Sequence, residues 1–143
     1  MKLKFRTYQE ADLPFLFAVF ASTRERELTL SGMPPEQQQA FLDHQFRAQH
    51  SHYTSEYPSA SYDVILADGD PVGRLYVDRR PDEIRILDIT ILPKHRGAGL
   101  GTRILKDLIE EGRTKGLPVG IHVGKMDGSK PLFERLGFIQ EDD

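Results

Sequence analysis

The sequence predicts a single α/β domain built on a mixed sheet, with elements in the order β-α-α-β-β-β-α-β-α-β. Three observations carry this. The chain has 143 residues, which suits one core. Its hydrophobic period changes from helical to strand-like near Tyr62 and back to helical after Gly99. Turn signals fall between these segments, with no repeat, linker or low-complexity tract.

The elements follow in order. Leu3 to Tyr8 alternates loosely and reads as an opening strand. Asp12 and Pro14 suit the first turn of a helix carrying Leu13, Phe15, Leu16, Phe17, Val19 and Phe20. Ser22 to Met33 is charged and mixed, and reads as a loop of uncertain helical character. Pro34-Pro35 opens a second helix, Glu36 to Gln49, with Phe41, Leu42 and Phe46 on its apolar side. Tyr62 to Ala67 and Val72 to Val77 form a hairpin around Asp68-Gly69-Asp70, an Asp-Gly signal for a tight turn. Arg79 to Glu83 turns the chain into a β-branched strand, Ile84 to Leu92. The next helix, Gly99 to Gly112, presents Leu100, Ile104, Leu105, Leu108 and Ile109 as one apolar stripe. Gly116 and Pro118 precede a strand over Val119 to Val123. Ser129 caps a short helix ending at Leu136, Gly137 suits its left-handed C-terminal position, and Phe138-Ile139 starts a last strand.

Composition narrows the function. Charged residues make up 29% and the net charge is −3, which argues against general nucleic-acid binding, since that needs a basic surface. With no cysteine, disulfides, thiolate metal sites and a cysteine acyl-enzyme are excluded. His44, His50 and His52 do not fit zinc spacing with an acid or thiolate partner, so no metal is expected. The N-terminus lacks the apolar run of a signal peptide and no stretch is long enough to span a membrane, so a cytoplasmic protein without membrane contact is expected.

The segment richest in chemical information is Leu92-Pro93-Lys94-His95-Arg96-Gly97-Ala98-Gly99-Leu100-Gly101-Thr102, between a strand and an amphipathic helix. The first N–H groups of a helix lack internal partners, and its dipole is positive there. Glycines let a phosphate approach that backbone closely. A Walker loop would continue as Gly-Lys-Ser/Thr, but Gly101 is followed by Thr102-Arg103. A dinucleotide fingerprint needs G-x-G-x-x-G, whereas Gly97, Gly99 and Gly101 are spaced by two. A phosphate-bearing ligand of another kind is therefore expected.

Arg96-Gly97-Ala98-Gly99-Leu100-Gly101, following Ile89-Thr90-Ile91-Leu92-Pro93, resembles the central signature of the GNAT superfamily of N-acetyltransferases (GCN5-related). Val123 to Asp127 and Leu132-Phe133-Glu134-Arg135-Leu136-Gly137-Phe138 resemble that family's second signature, in the right order. The resemblance covers nearly the whole chain. It implies a sheet splayed between its fourth and fifth strands, with acetyl-CoA as co-substrate. The backbone of Arg96, Gly97, Ala98, Gly99, Leu100, Gly101 and Thr102 would take the pyrophosphate. Thr90, Ile91 and Leu92 would hold the acetyl carbonyl and pantetheine arm, and Asp127 and Phe133 would lie along the cofactor. The acceptor, a primary amine of a small molecule or peptide, would enter beside the first two helices and attack directly in a ternary complex.

Other residues carry two readings each. Asp88 is a base or water-holder by resemblance, or an acid that faces solvent or pairs with Arg85. His122 faces the acetyl group or packs in the core. Arg24 and Glu25 select a charged acceptor or belong to a solvated loop. Tyr76 lines a pocket or is core. Phe133 stands where many members carry Tyr and has no proton to donate, and Asp127 stands where Asn is common. These departures keep a non-catalytic acyl-CoA-binding module as the alternative. Five residues follow Phe138, too few for the family's usual closing strand. Either the tail is truncated or a second copy completes that edge as a homodimer.

Overall fold

The computed structural model describes residues 2–121. The later half of the fifth strand, the helix over Ser129 to Leu136, the last strand, and His122, Asp127 and Phe133 lie outside the described residues.

Among the described residues five strands form one sheet in the order β1-β2-β3-β4-β5. They are β1 (Leu3–Thr7), β2 (Ser61–Ala67), β3 (Asp70–Arg79), β4 (Ile84–Ile91) and β5 (Val119–Ile121). Neighbours β1 to β4 pair antiparallel, and β4 pairs β5 parallel. The helices are α1 (Leu13–Ser22), α2 (Glu25–Ser31), α3 (Pro35–Glu56) and α4 (Leu100–Lys115). The mixed α/β sheet agrees with the sequence reading, and over the described residues the element order differs from it by one added helix, α2.

Alternation along the strands divides the core between the two sheet faces. Ile65, Leu75, Val77, Ile84 and Ile86 meet α4 through Leu100, Ile104, Leu105 and Leu108. Val64, one residue out of phase with Ile65, meets Leu16, Phe20, Leu42 and Phe46 of α1 and α3. Beside them Tyr62, Tyr76 and Leu87 pack with Tyr53 of α3 and with Tyr57, which follows its last residue. The β2–β3 turn is as expected: Asp68 and Gly69 both have positive φ, 50° and 87°, as a two-residue hairpin loop requires.

Two helical expectations needed correction. Glu25–Ser31 is a helix rather than loop, held to the core by buried Leu28 and ended by Gly32 at φ 72°. And α3 runs on to Glu56, seven residues past Gln49, because Tyr53 and Tyr57 pack under the sheet where the polar sequence showed no apolar stripe.

Candidate functional site

The end of β4 is shaped by two irregularities. Tyr76 pairs with Asp88 and Val77 with Ile86, so Leu87 is an extra residue in β4. The bulge resets the alternation: Leu87 joins the Tyr62–Tyr76 cluster, while Asp88 and Thr90 stand opposite Tyr76 and Arg74. Tyr53 of α3 donates its hydroxyl to the Leu87 carbonyl at 3.3 Å. Nearby, β3 has its own irregularity against β2, between Ile65 and Leu66. There β3 carries Gly73, where a Cβ would stand 2.2 Å from the Thr90 carbonyl oxygen. Only glycine permits this approach. Among the described residues β4 pairs with β5 at Ile84, Arg85 and Ile86, and Leu87–Ile91 extend beyond.

From β4 the chain passes through a short 3₁₀ turn, Pro93–His95, into the glycine segment. Gly97 and Gly99 have φ of 86° and 78°, the left-handed region that favours glycine. The space where each Cβ would stand is open to 4 Å. Gly101 lies in the first turn of α4. The first helical bond there runs from Arg103 N–H to the Gly99 carbonyl, and no side chain caps the helix. The N–H groups of Leu100, Gly101 and Thr102 therefore belong to the turn where a helix has no internal acceptors. Arg96 folds back, donating from Nε to the Ile91 carbonyl at 2.9 Å, which ties the turn to the end of β4. A depression of about 260 Å³ beside the turn is bordered by Lys94, His95, Arg96, Ala98 and Leu100, with Asp68 and Asp70 opposite. Thus Thr90, Ile91 and Leu92 at the end of β4 lead through the glycine turn, Arg96 to Thr102, into a helix terminus whose N–H groups no side chain caps.

On the sheet face covered by α1 and α3 lies a polar cluster absent from the sequence reading. Arg74 of β3 is the one charged residue buried among the described residues, at 2% exposure. Its Nε and Nη2 donate to Asp88 Oδ1 and Oδ2 at 3.2 and 2.7 Å, and Nη2 also donates to Gln49 Oε1 at 3.0 Å. Thr90 Oγ1 donates to Asp88 Oδ1 at 2.7 Å. Asp88 is thus paired with Arg74, not Arg85. Burial opposes the guanidinium's charge, but Asp88 above all, with neighbouring tyrosines, outweighs it and leaves the Arg74 pKa above its ordinary value. The guanidinium also sits 5.0 Å from the Tyr76 ring centre. Its Nη1 and the Nδ1 of His50 are both buried without hydrogen-bond partners. Burial first, then the charge of Arg74, push the His50 pKa down.

The acceptor-side candidates separate. Tyr76 is 1% exposed, with Tyr62 at 5.0 Å and Tyr53 at 5.6 Å between ring centres, so it is core and lines no open pocket. Arg24 precedes α2 with its guanidinium 5.0 Å from the Phe20 ring centre, and Glu25 is exposed on the first turn of α2. A larger groove of about 600 Å³ between α1 and α3 is lined by Leu13, Phe17, Phe46 and His50 among others, and by none of the predicted site residues. Arg74 was missed because its only sequence signal is a polar residue inside an apolar run; hairpin register is needed to bring it to Asp88.

Comparison with known proteins agrees with this geometry. The acetyltransferase (GNAT) family matches residues 24–138. A glucosamine 6-phosphate N-acetyltransferase of Trypanosoma brucei brucei is 40% identical over 53 residues, which are 37% of this chain and only 35% of that relative's length. Among solved structures, PaiA N-acetyltransferase from Thermoplasma acidophilum, in complex with coenzyme A, has a TM-score of 0.69 at 14% identity, covering 100% of this chain and 93% of that one. A GCN5-related N-acetyltransferase from Rhodopseudomonas palustris has a TM-score of 0.66 at 20% identity, covering 99% and 84%. With an uncapped helix start after two left-handed glycines and a family match over most of its length, the chain belongs to the acetyltransferase (GNAT) family.

Proposed function

We propose that this protein transfers the acetyl group of acetyl-CoA to a primary amine of a small molecule or peptide. The observation that carries the reading is the pair of left-handed glycines, Gly97 and Gly99, leading into the uncapped start of α4 at the end of β4. Backbone N–H groups from Gly97 to Thr102 take the pyrophosphate, and Thr90, Ile91 and Leu92 hold the arm and the acetyl carbonyl. In a ternary complex the neutral amine attacks the thioester carbonyl. The C–N bond forms and the C–S bond breaks, CoA leaves with the electron pair and takes a proton, and the nitrogen loses one. Stabilising the developing oxyanion needs fixed donors, and a strand backbone supplies them at no cost in reorganisation.

Asp88 and Thr90 belong to the acceptor end of this site, on the face that carries α1 and α3. The polar cluster there suits an N–H donor better than an apolar group, because buried acceptors are satisfied by donors. The test is thiol release from acetyl-CoA against a panel holding glucosamine 6-phosphate, amino acids, polyamines, an aminoglycoside and peptides with free N-termini. Acetylated product with at least one amine is expected. Tight CoA binding with no turnover on any of them would instead favour the acyl-CoA-binding module.

A further inference from the structure

We infer that Arg74 is a positioning residue for the acceptor amine, acting through Asp88. The inference deepens the acetyltransferase reading and rests on it. An ionised carboxylate offers about four lone-pair sites. Asp88 Oδ1 has both of its own filled, by Arg74 Nε at 3.2 Å and Thr90 Oγ1 at 2.7 Å. Oδ2 has one filled, by Arg74 Nη2 at 2.7 Å. A single acceptor site is left, on Oδ2, and the Asp88 side chain keeps 14% exposure while Arg74 behind it has 2%.

The fork does what a point charge cannot. Two parallel N–H bonds fix the plane of the carboxylate, and Gln49 of α3 fixes the guanidinium in turn through Nη2 at 3.0 Å. The bulge at Leu87 puts Asp88 on this face, two residues before Thr90 and the start of the acetyl-holding backbone. One carboxylate site of fixed direction, next to that backbone, accepts one N–H of the incoming amine and so sets where the nitrogen lone pair points. A buried charge pair is costly to desolvate and a poor source of stability. Orienting a nucleophile is a use that repays it.

The experiment compares Arg74→Lys, Gln49→Met and the unaltered chain, with whichever panel amine is turned over best. Arg74→Lys keeps the positive charge and loses the fork. Its kcat should fall about 100-fold, the cost of a misplacement on the order of 1 Å. KM for acetyl-CoA should stay within about twofold, since the glycine turn is untouched. Gln49→Met, which leaves the charge pair intact, should lower kcat by about threefold to tenfold with the same split, an estimate for a loosened support. Should Arg74→Lys fail to fold, Gln49→Met carries the test alone. Unchanged kcat in the folded variants, or equal losses in kcat and in acetyl-CoA affinity, would overturn the positioning role while leaving the acetyltransferase reading intact. Absence of turnover in the unaltered chain would overturn both.

Discussion

Gly99 shows how one backbone angle bears on the proposed cofactor site. At φ 78° its conformation costs a side-chain-bearing residue about 1–2 kcal/mol. Among the described residues no atom beyond its chain neighbours lies within 4 Å of where its Cβ would be, so the penalty is in the backbone. Gly99→Ala should either strain the turn or rotate it out of line with α4, weakening CoA binding by about tenfold, as that energy implies. Titration calorimetry with CoA measures it, and an unchanged Kd would mean that the turn does not hold the pyrophosphate. Gly73 is the opposite case. Its missing Cβ leaves room for the Thr90 carbonyl, 2.2 Å from the built position. Gly73→Ala must push β4 away from β3, at a cost on the order of 1–3 kcal/mol for overpacking. Because the shifted atoms adjoin Ile91 and Leu92, acetyl-CoA affinity should fall together with the urea midpoint. A variant that loses neither would show that the strand gives way without reaching the site.

At the scale of elements, helix α4 was the most legible and the polar cluster the least. The apolar stripe of α4 predicts its buried face because Leu100, Ile104, Leu105 and Leu108 meet one surface, the sheet, and only Ile109 of the stripe stays outside that contact among the described residues. Leu105 is 0% exposed in that face, and Leu105→Ala should cost about 2–5 kcal/mol, read as a lower midpoint in urea. A loss under 1 kcal/mol would mean that the layer collapses around the gap. The glycine turn was equally plain, since its residues act locally. The bulge was not: Ile86-Leu87 are adjacent apolar residues, and the sequence does not say that one of them is unpaired. Nor was the C-terminal third of α3, whose contacts are aromatic rings under a neighbouring strand rather than a stripe of its own. Arg74 and Asp88 are 14 residues apart and meet through the register of β3 on β4. Local pattern shows what one element does alone, and pairing between elements is where it stops.

Across the whole molecule the two sheet faces are built differently, and this has a consequence at high pH. The α4 face is aliphatic, but the α1–α3 face closes over a network of tyrosines. Tyr62 shares its one hydroxyl proton between the carbonyls of Tyr53 and Tyr57, each 2.6 Å away, fastening the end of α3 to β2. Tyr53 in turn reaches Leu87. Burial, helped by Asp88 for Tyr53 and by Asp78 for Tyr62, pushes both phenols up to about 12. An unfolded tyrosine ionises near 10. A group whose pKa is raised by folding contributes stability that is complete below its unfolded value and is lost as pH rises through the folded one. Stability should therefore hold to about pH 10 and fall steeply from there to about pH 12. Urea unfolding across this range, followed by circular dichroism, measures the fall. Tyr62→Phe cannot ionise there, so it should start less stable at neutral pH, having lost the shared hydroxyl bond, yet decline less between pH 10 and 12. A parallel decline in both proteins would place the alkaline weakness elsewhere than in the Tyr62 hydroxyl.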